Sequence, residues 1–146
     1  MTPTQYRALA TKTKLITEVA QRKKEEDKLH CEVADWCRAN LLKSVLWYHI
    51  PNGGKRHIGV ALLLKKFGLL PGAPDLEFLH EGMTHYLELK TAKGSTSKVQ
   101  NLFRDRALAA GAVYEVAKNL SDAKEIISCW CLVKPNAHVI SARRAA

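Results

Sequence analysis

The stretch PDLEFLHEGMTHYLELK, Pro74 to Lys90, decides the fold. Asp75 to Leu79 and Thr84 to Lys90 read as strands, and Glu81-Gly82 between them suits a two-residue hairpin turn. With that turn, antiparallel partners have numbers summing to 163: Leu79 faces Thr84, Glu77 faces Tyr86, and Asp75 faces Glu88. Directly opposed β-carbons sit about 4.5 to 5.5 Å apart, where like charges destabilise unless something positive lies between them. Lys90, two residues after Glu88, shares its face, while Leu87 and Leu89 point into the core. Asp75, Glu88 and Lys90 are therefore expected to converge on one spot.

Working outward, strands alternate with helical patterns, which implies α/β. Glu25 to Leu42 reads as a helix with Leu29, Val33, Trp36, Cys37 and Leu41 on its buried stripe. Glu26, three before Leu29 and seven before Val33, falls on the same stripe and can point at the sheet. Val45 to Ile50 is a strand that stops at the turn residues Pro51 to Gly54. Val60 to Phe67 is expected to be a short, mostly buried helix closed by Gly68. Ser97 opens a helix with Val99, Leu102, Phe103 and Ala110 on one face, and Gly111 ends it. Val113 to Ala117 is the next strand, Ser121 caps a helix to about Ser128, and Ala137 to Ile140 could add a strand. Residues 25–131 form the domain, and 132–146 a tail. Residues 1–24 are an N-terminal extension expected to be helical, with Tyr6, Leu9, Ile16 and Val19 on an apolar stripe and the threonines at 11, 13 and 17 weakening it.

At 146 residues, 47% hydrophobic and 25% charged, the chain suits one folded domain, which leaves one site to do everything. The excess of 23 lysines and arginines over 14 acids gives a charge of +9, so the expected partner is a polyanion, with nucleic acid foremost. From Trp36 to Pro74 there are six basic residues and no acid, and from Leu89 to Arg104 four and none. Asp75, Glu77, Glu81 and Glu88 lie between these basic stretches. Carboxylates repel phosphates, and an acid embedded in phosphate-binding surface makes sense if a divalent cation bridges the two. The N-terminus lacks the apolar core of a signal peptide, and the longest apolar block, Val60 to Leu64, is far too short to span a membrane. The four cysteines lack zinc-knuckle spacing and are expected to be buried thiols in a reducing, cytoplasmic compartment.

Pro74-Asp75 followed by Glu88-Leu89-Lys90 resembles the PD-(D/E)XK nuclease superfamily. With His49 to Arg56, Gly68 to Asp75, Thr91, Gly94, Ser97 and Gln100, the chain is similar to the VRR-NUC branch, in its stand-alone phage and bacterial form, along residues 26 to about 130. That resemblance implies a restriction-endonuclease-like core, a central mixed β-sheet flanked by helices. It also implies a DNA endonuclease dependent on magnesium or manganese, with no nucleotide cofactor, selective for Holliday junctions or other branched DNA. A homodimer is implied, acting in the cytoplasm, the host's if the chain is phage-encoded. By motif match, Asp75 and Glu88 hold the ion together with the Leu89 backbone carbonyl and Glu26, Lys90 assists at the reacting phosphate, and Gln100 completes the site. Position 30, where the helix motif often carries Gln, is His30 here. Ser97 and Gln100 also fit a capping box. Asn52, Lys55, Arg56, Lys93, Ser97, Lys98 and Arg104 are candidates for DNA contact. The rival is a non-cleaving nucleic-acid-binding module on the same fold, which would be better served without the acids.

Overall fold

A computed structural model describes residues 2–51 and 57–135. The expected contacts at Asn52, Lys55 and Arg56, the turn through Gly53 and Gly54, the possible strand at Ala137 to Ile140 and the Tyr6 side chain lie outside the described residues. The elements are α1 (Pro3–Asn40), β1 (Leu46–His49), α2 (Ile58–Lys66), β2 (Leu76–His80), β3 (Met83–Leu89), α3 (Lys98–Ala109), β4 (Val113–Ala117) and α4 (Leu120–Cys129). The four strands form one mixed sheet in the order β1-β2-β3-β4, antiparallel except for the β3–β4 pair.

The hairpin has the register read from the sequence, with Leu79 opposite Thr84, Glu77 opposite Tyr86 and Leu76 opposite Leu87. Glu81 and Gly82 both take positive φ, 49° and 77°, as a two-residue turn matched to strand twist requires. Period-two alternation then turns Leu76, Phe78, Leu87 and Leu89 to one face, where α1 and α4 cover them with Leu29, Val33, Cys37, Ala123 and Ile127. The opposite face carries Tyr86 and Tyr114, against which Phe103 of α3 packs. The segment after α4 is fastened to the end of α1 by Leu42 N–H to Leu132 C=O and Lys134 N–H to Asn40 C=O, which buries Leu132.

Five expectations change. The N-terminal extension is continuous with the predicted helix, giving α1 38 residues, because the hydroxyls of Thr11, Thr13 and Thr17 bond back to the carbonyls of Arg7, Leu9 and Thr13 and leave the ladder intact. α2 forms but buries no residue; both sheet faces already have their covering helices, and Ile58 and Phe67 stay about three-quarters exposed at 77% and 74%. On α3 the inward residues are Gln100, Phe103 and Ala107, whereas Val99 and Leu102 face outward, so the polar Gln100 rather than the apolar pair selects the face. Asn119, not Ser121, caps α4, its side-chain oxygen accepting from Asp122 N–H. Of the cysteines only Cys37 is buried, its thiol pushed up to about 12 by that burial; Cys31, Cys129 and Cys131 are exposed. Among the described residues no helix is long and apolar enough to cross a membrane.

Gly72 fixes α3 against the loop that leads into β2. It has φ +79°, and an added β-carbon would meet the Val99 carbonyl oxygen at 2.5 Å and the Gln100 nitrogen at 2.8 Å. Gly111 has φ +88° but open space around it. Gly111→Ala should therefore cost only the backbone strain, about 1–2 kcal/mol. Gly72→Ala must add displacement of the first turn of α3 and should cost more, a difference that urea unfolding of the two variants measures.

Candidate active site

The next pair in the hairpin register after Leu76 and Leu87 is Asp75 and Glu88, at the end of the sheet. Asp75 Oδ2 accepts the Leu89 N–H at 2.8 Å, which ties its carboxylate across to β3. Its carbonyl accepts the Ile50 N–H at 2.9 Å and the His49 ring at 2.9 Å. Since a carbonyl can only accept, His49 carries its proton on Nδ1. Glu88 is 2% exposed, and its Oε1 receives the Lys90 ammonium at 2.7 Å and a short hydrogen bond from Gln100 Nε2.

Gln100 holds two parts together. Its Oε1 accepts the Ser97 N–H at 2.9 Å while Ser97 Oγ accepts the Gln100 N–H at 3.2 Å, so the capping box is complete, and the remaining amide hydrogen serves Glu88. The cap and the site are thus one bonding pattern, with the start of α3 positioned by a carboxylate on β3. Gln100 reaches Glu88, not Lys90.

Burial, and then the charge of Asp75, push the Glu88 carboxyl up to about 7 against the opposing pull of Lys90 and Gln100. The same burial, with Glu88 and Asp75 beside it, raises the Tyr114 hydroxyl, which stays protonated and has no partner among the described residues.

A cleft of about 930 Å³ opens over this group. Glu26 lines it, on the half-buried side of α1, together with Asp75, Glu88, Leu89, Lys90 and Gln100. Sequence reasoning missed the pair His30 and His49, whose rings meet edge to face at 4.5 Å on the cleft wall. Burial lowers the His30 pKa, and Asp75 opposes that shift. The signal for His30 was present, since it follows Glu26 by four on the same helix stripe. Lys93 and Lys98 are exposed, whereas Arg104 is engaged by its neighbour Asp105 at 3.0 Å.

The donor set fits a hard divalent cation. Asp75 Oδ1 and Glu88 Oε2 carry no hydrogen bond among the described residues, and the two carboxylates repel each other. Among the described residues no three His, Cys, Asp or Glu side chains cluster as a metal site, so the side-chain donors at the centre are this pair, with Glu26 further along the cleft wall.

The raised Glu88 pKa has a consequence for folding. Below about pH 4.5 the group is protonated folded and unfolded; between there and about 7 only the folded chain keeps the proton, so stability falls as pH rises, and above 7 the loss is complete. The magnitude is roughly 3 kcal/mol. Thermal unfolding in chelator should show this decline between pH 5 and 7.5 in the native chain, and Glu88→Gln should remove it.

No family model matches the chain, and no curated protein does. Among solved structures, a VRR-NUC domain protein superposes with a TM-score of 0.58 at 19% identity, over 72% of this chain and 86% of that one. A second VRR-NUC domain has a TM-score of 0.49 at 18% identity, over 70% of this chain and 94% of that one. The mixed four-stranded sheet with helices on both faces is the VRR-NUC fold.

Proposed function

We propose that the chain is a divalent-metal-dependent DNA endonuclease that hydrolyses phosphodiester bonds. One observation carries the reading: Asp75 and Glu88 converge with Lys90 and Gln100 in an open cleft of a chain whose net charge is +9. A pure binding surface gains nothing from a mutually repelling, desolvated acid pair facing phosphates, and replacing it with apolar residues would cost little stability. The fold shared with a VRR-NUC domain protein supports the same reading.

Magnesium or manganese would be held by Asp75, Glu88 and the Leu89 carbonyl, with Glu26 the further acid of the cleft. When bound, the ion supplies Lewis acidity and a water of lowered pKa. The protein's own groups do the positioning. Leu89 N–H orients the Asp75 carboxylate, Gln100 and Lys90 fix Glu88, and the Lys90 ammonium supplies positive charge where phosphate charge builds. Lys93 and Lys98, both exposed, suit contacts to the flanking backbone; Lys55 and Arg56, outside the described residues, are candidates from the sequence alone.

The substrate we assign is branched DNA, and the working form a homodimer, because one site cuts one strand and symmetric resolution of a junction needs two. Leu9, Ile16 and Val19 are about half exposed or more on the N-terminal half of α1, as an apolar contact between copies would require. Light scattering should give twice the chain mass at micromolar concentration; a monomer would favour nicking of flaps or single strands.

Asp75→Asn and Glu88→Gln should each lower cleavage on the order of 10³-fold with magnesium while binding DNA as well or better, the scale of losing one electrostatic stabiliser. Gln100→Ala should lose about 10- to 100-fold, as removal of a group that orients a ligand does. Gel assays over branched, flapped, single-stranded and linear DNA read all three, and full activity in either carboxylate variant would sink the assignment.

A further inference from the structure

Of the N-terminal half of α1, only Val19, Arg22 and Lys23 reach the cleft described so far. From Pro3 to about Glu25 it is helical and exposed, a span of roughly 33 Å at 1.5 Å per residue. Residues 1–24 carry six lysines or arginines, Arg7, Lys12, Lys14, Arg22, Lys23 and Lys24, against the single acid Glu18. All six are exposed, and none is in an ion pair among the described residues. With Glu25 counted, the segment keeps a net charge of +4, and these like charges repel each other, so a polyanion beside the helix stabilises it.

The placement says which polyanion. A groove of about 1060 Å³ runs between this half of α1 and the Thr91 to Lys93 loop, and Lys14, Arg22 and Lys93 line it beside Leu9, Glu18 and Glu25. Arg22 also lines the catalytic cleft, so it stands between groove and cleft. By helical count Arg7 and Lys14 share a side, with Ile16 and Lys12 on the opposite one. The span of the helix equals about one turn of duplex, roughly 34 Å.

We infer that the N-terminal half of α1 is an arm-binding rail, which grips the sugar-phosphate backbone of the duplex leading away from the scissile phosphate. The inference rests on the nuclease reading for its substrate, but its test does not require cleavage. The chain lengthens its footprint by about ten base pairs along this arm, and Arg7 and Lys14 act on affinity without touching the reacting phosphate.

The experiment compares the full chain with the double variant Arg7→Gln/Lys14→Gln, with helicity and mass checked by circular dichroism and light scattering. Binding is measured in chelator on DNAs whose arms are shortened from about 20 to 5 base pairs on either side of the junction. The native chain should gain affinity, tenfold or more, as one arm grows past ten base pairs. The variant should lose that gain, and its slope of log affinity against log salt should fall by about 2. Cleavage of short-armed DNA should be unchanged. Three results would overturn the inference: affinity independent of arm length, an unaltered salt slope, or a change of mass in the variant, which would make the segment a self-association element. A native chain that shows the arm-length effect but never cleaves would refute the nuclease reading alone.

Discussion

The repulsion between Asp75 and Glu88 is built into the register of the β2–β3 hairpin and cannot be relieved without slipping a strand. A one-residue slip would turn Leu76, Phe78, Leu87 and Leu89 out of the core, so the apolar pattern that stabilises the sheet also enforces the acid pair. What surrounds the pair is compensation. The Leu89 N–H takes one oxygen of Asp75, and Lys90 and Gln100 converge on one oxygen of Glu88. The compensation is incomplete, as the raised Glu88 pKa shows. On the proposed reading, the repulsion left uncompensated is what a bound cation would offset.

Gln100 shows how such a site is kept in shape. A glutamine at the third helical position normally serves only the helix start, yet here the same amide spans from the Ser97 backbone to Glu88. Gly72 lets the loop before β2 lie against that first turn, where a side chain would collide with the backbone of Val99 and Gln100. Three sequence-distant segments, 72, 88 and 97–100, are therefore one mechanical unit. A shift in any of them changes the environment of the Glu88 carboxyl.

The hairpin was legible because its information is local: a turn residue pair with φ above zero and a two-residue period determine register without reference to the rest of the chain. The juxtaposition of Asp75 and Glu88 followed from it by arithmetic. The burial of α2 was misread because apolar sequence reports a need for cover and not what supplies it, and the sheet has already given both faces to α1, α4 and α3. On α3 the inward face was misassigned since the decisive residue is the polar Gln100, whose partner is remote in sequence. The length of α1 was underestimated because threonine propensity was taken without the back-bonding that accommodates it. His30 and His49 meet only through the packing of α1 on the sheet edge, which no spacing rule encodes.

Charge in this chain works on two length scales. Over the whole surface a +9 molecule attracts nucleic acid, and the projecting half of α1 extends that attraction beyond the cleft. Within the cleft the sign reverses, because Glu26, Asp27, Asp75 and Glu88 outnumber Arg22, Lys23 and Lys90. Screening separates the two, since exposed cations act across a Debye length of about 8–10 Å and weaken with salt, whereas the buried pair is little screened. On the proposed reading, capture of DNA is governed by the surface and by ionic strength. Approach of the phosphate to the centre is governed instead by whatever neutralises one buried carboxylate pair. Separating attraction from access lets a strongly basic protein bind DNA broadly while keeping its reacting centre closed to phosphates until a cation is in place.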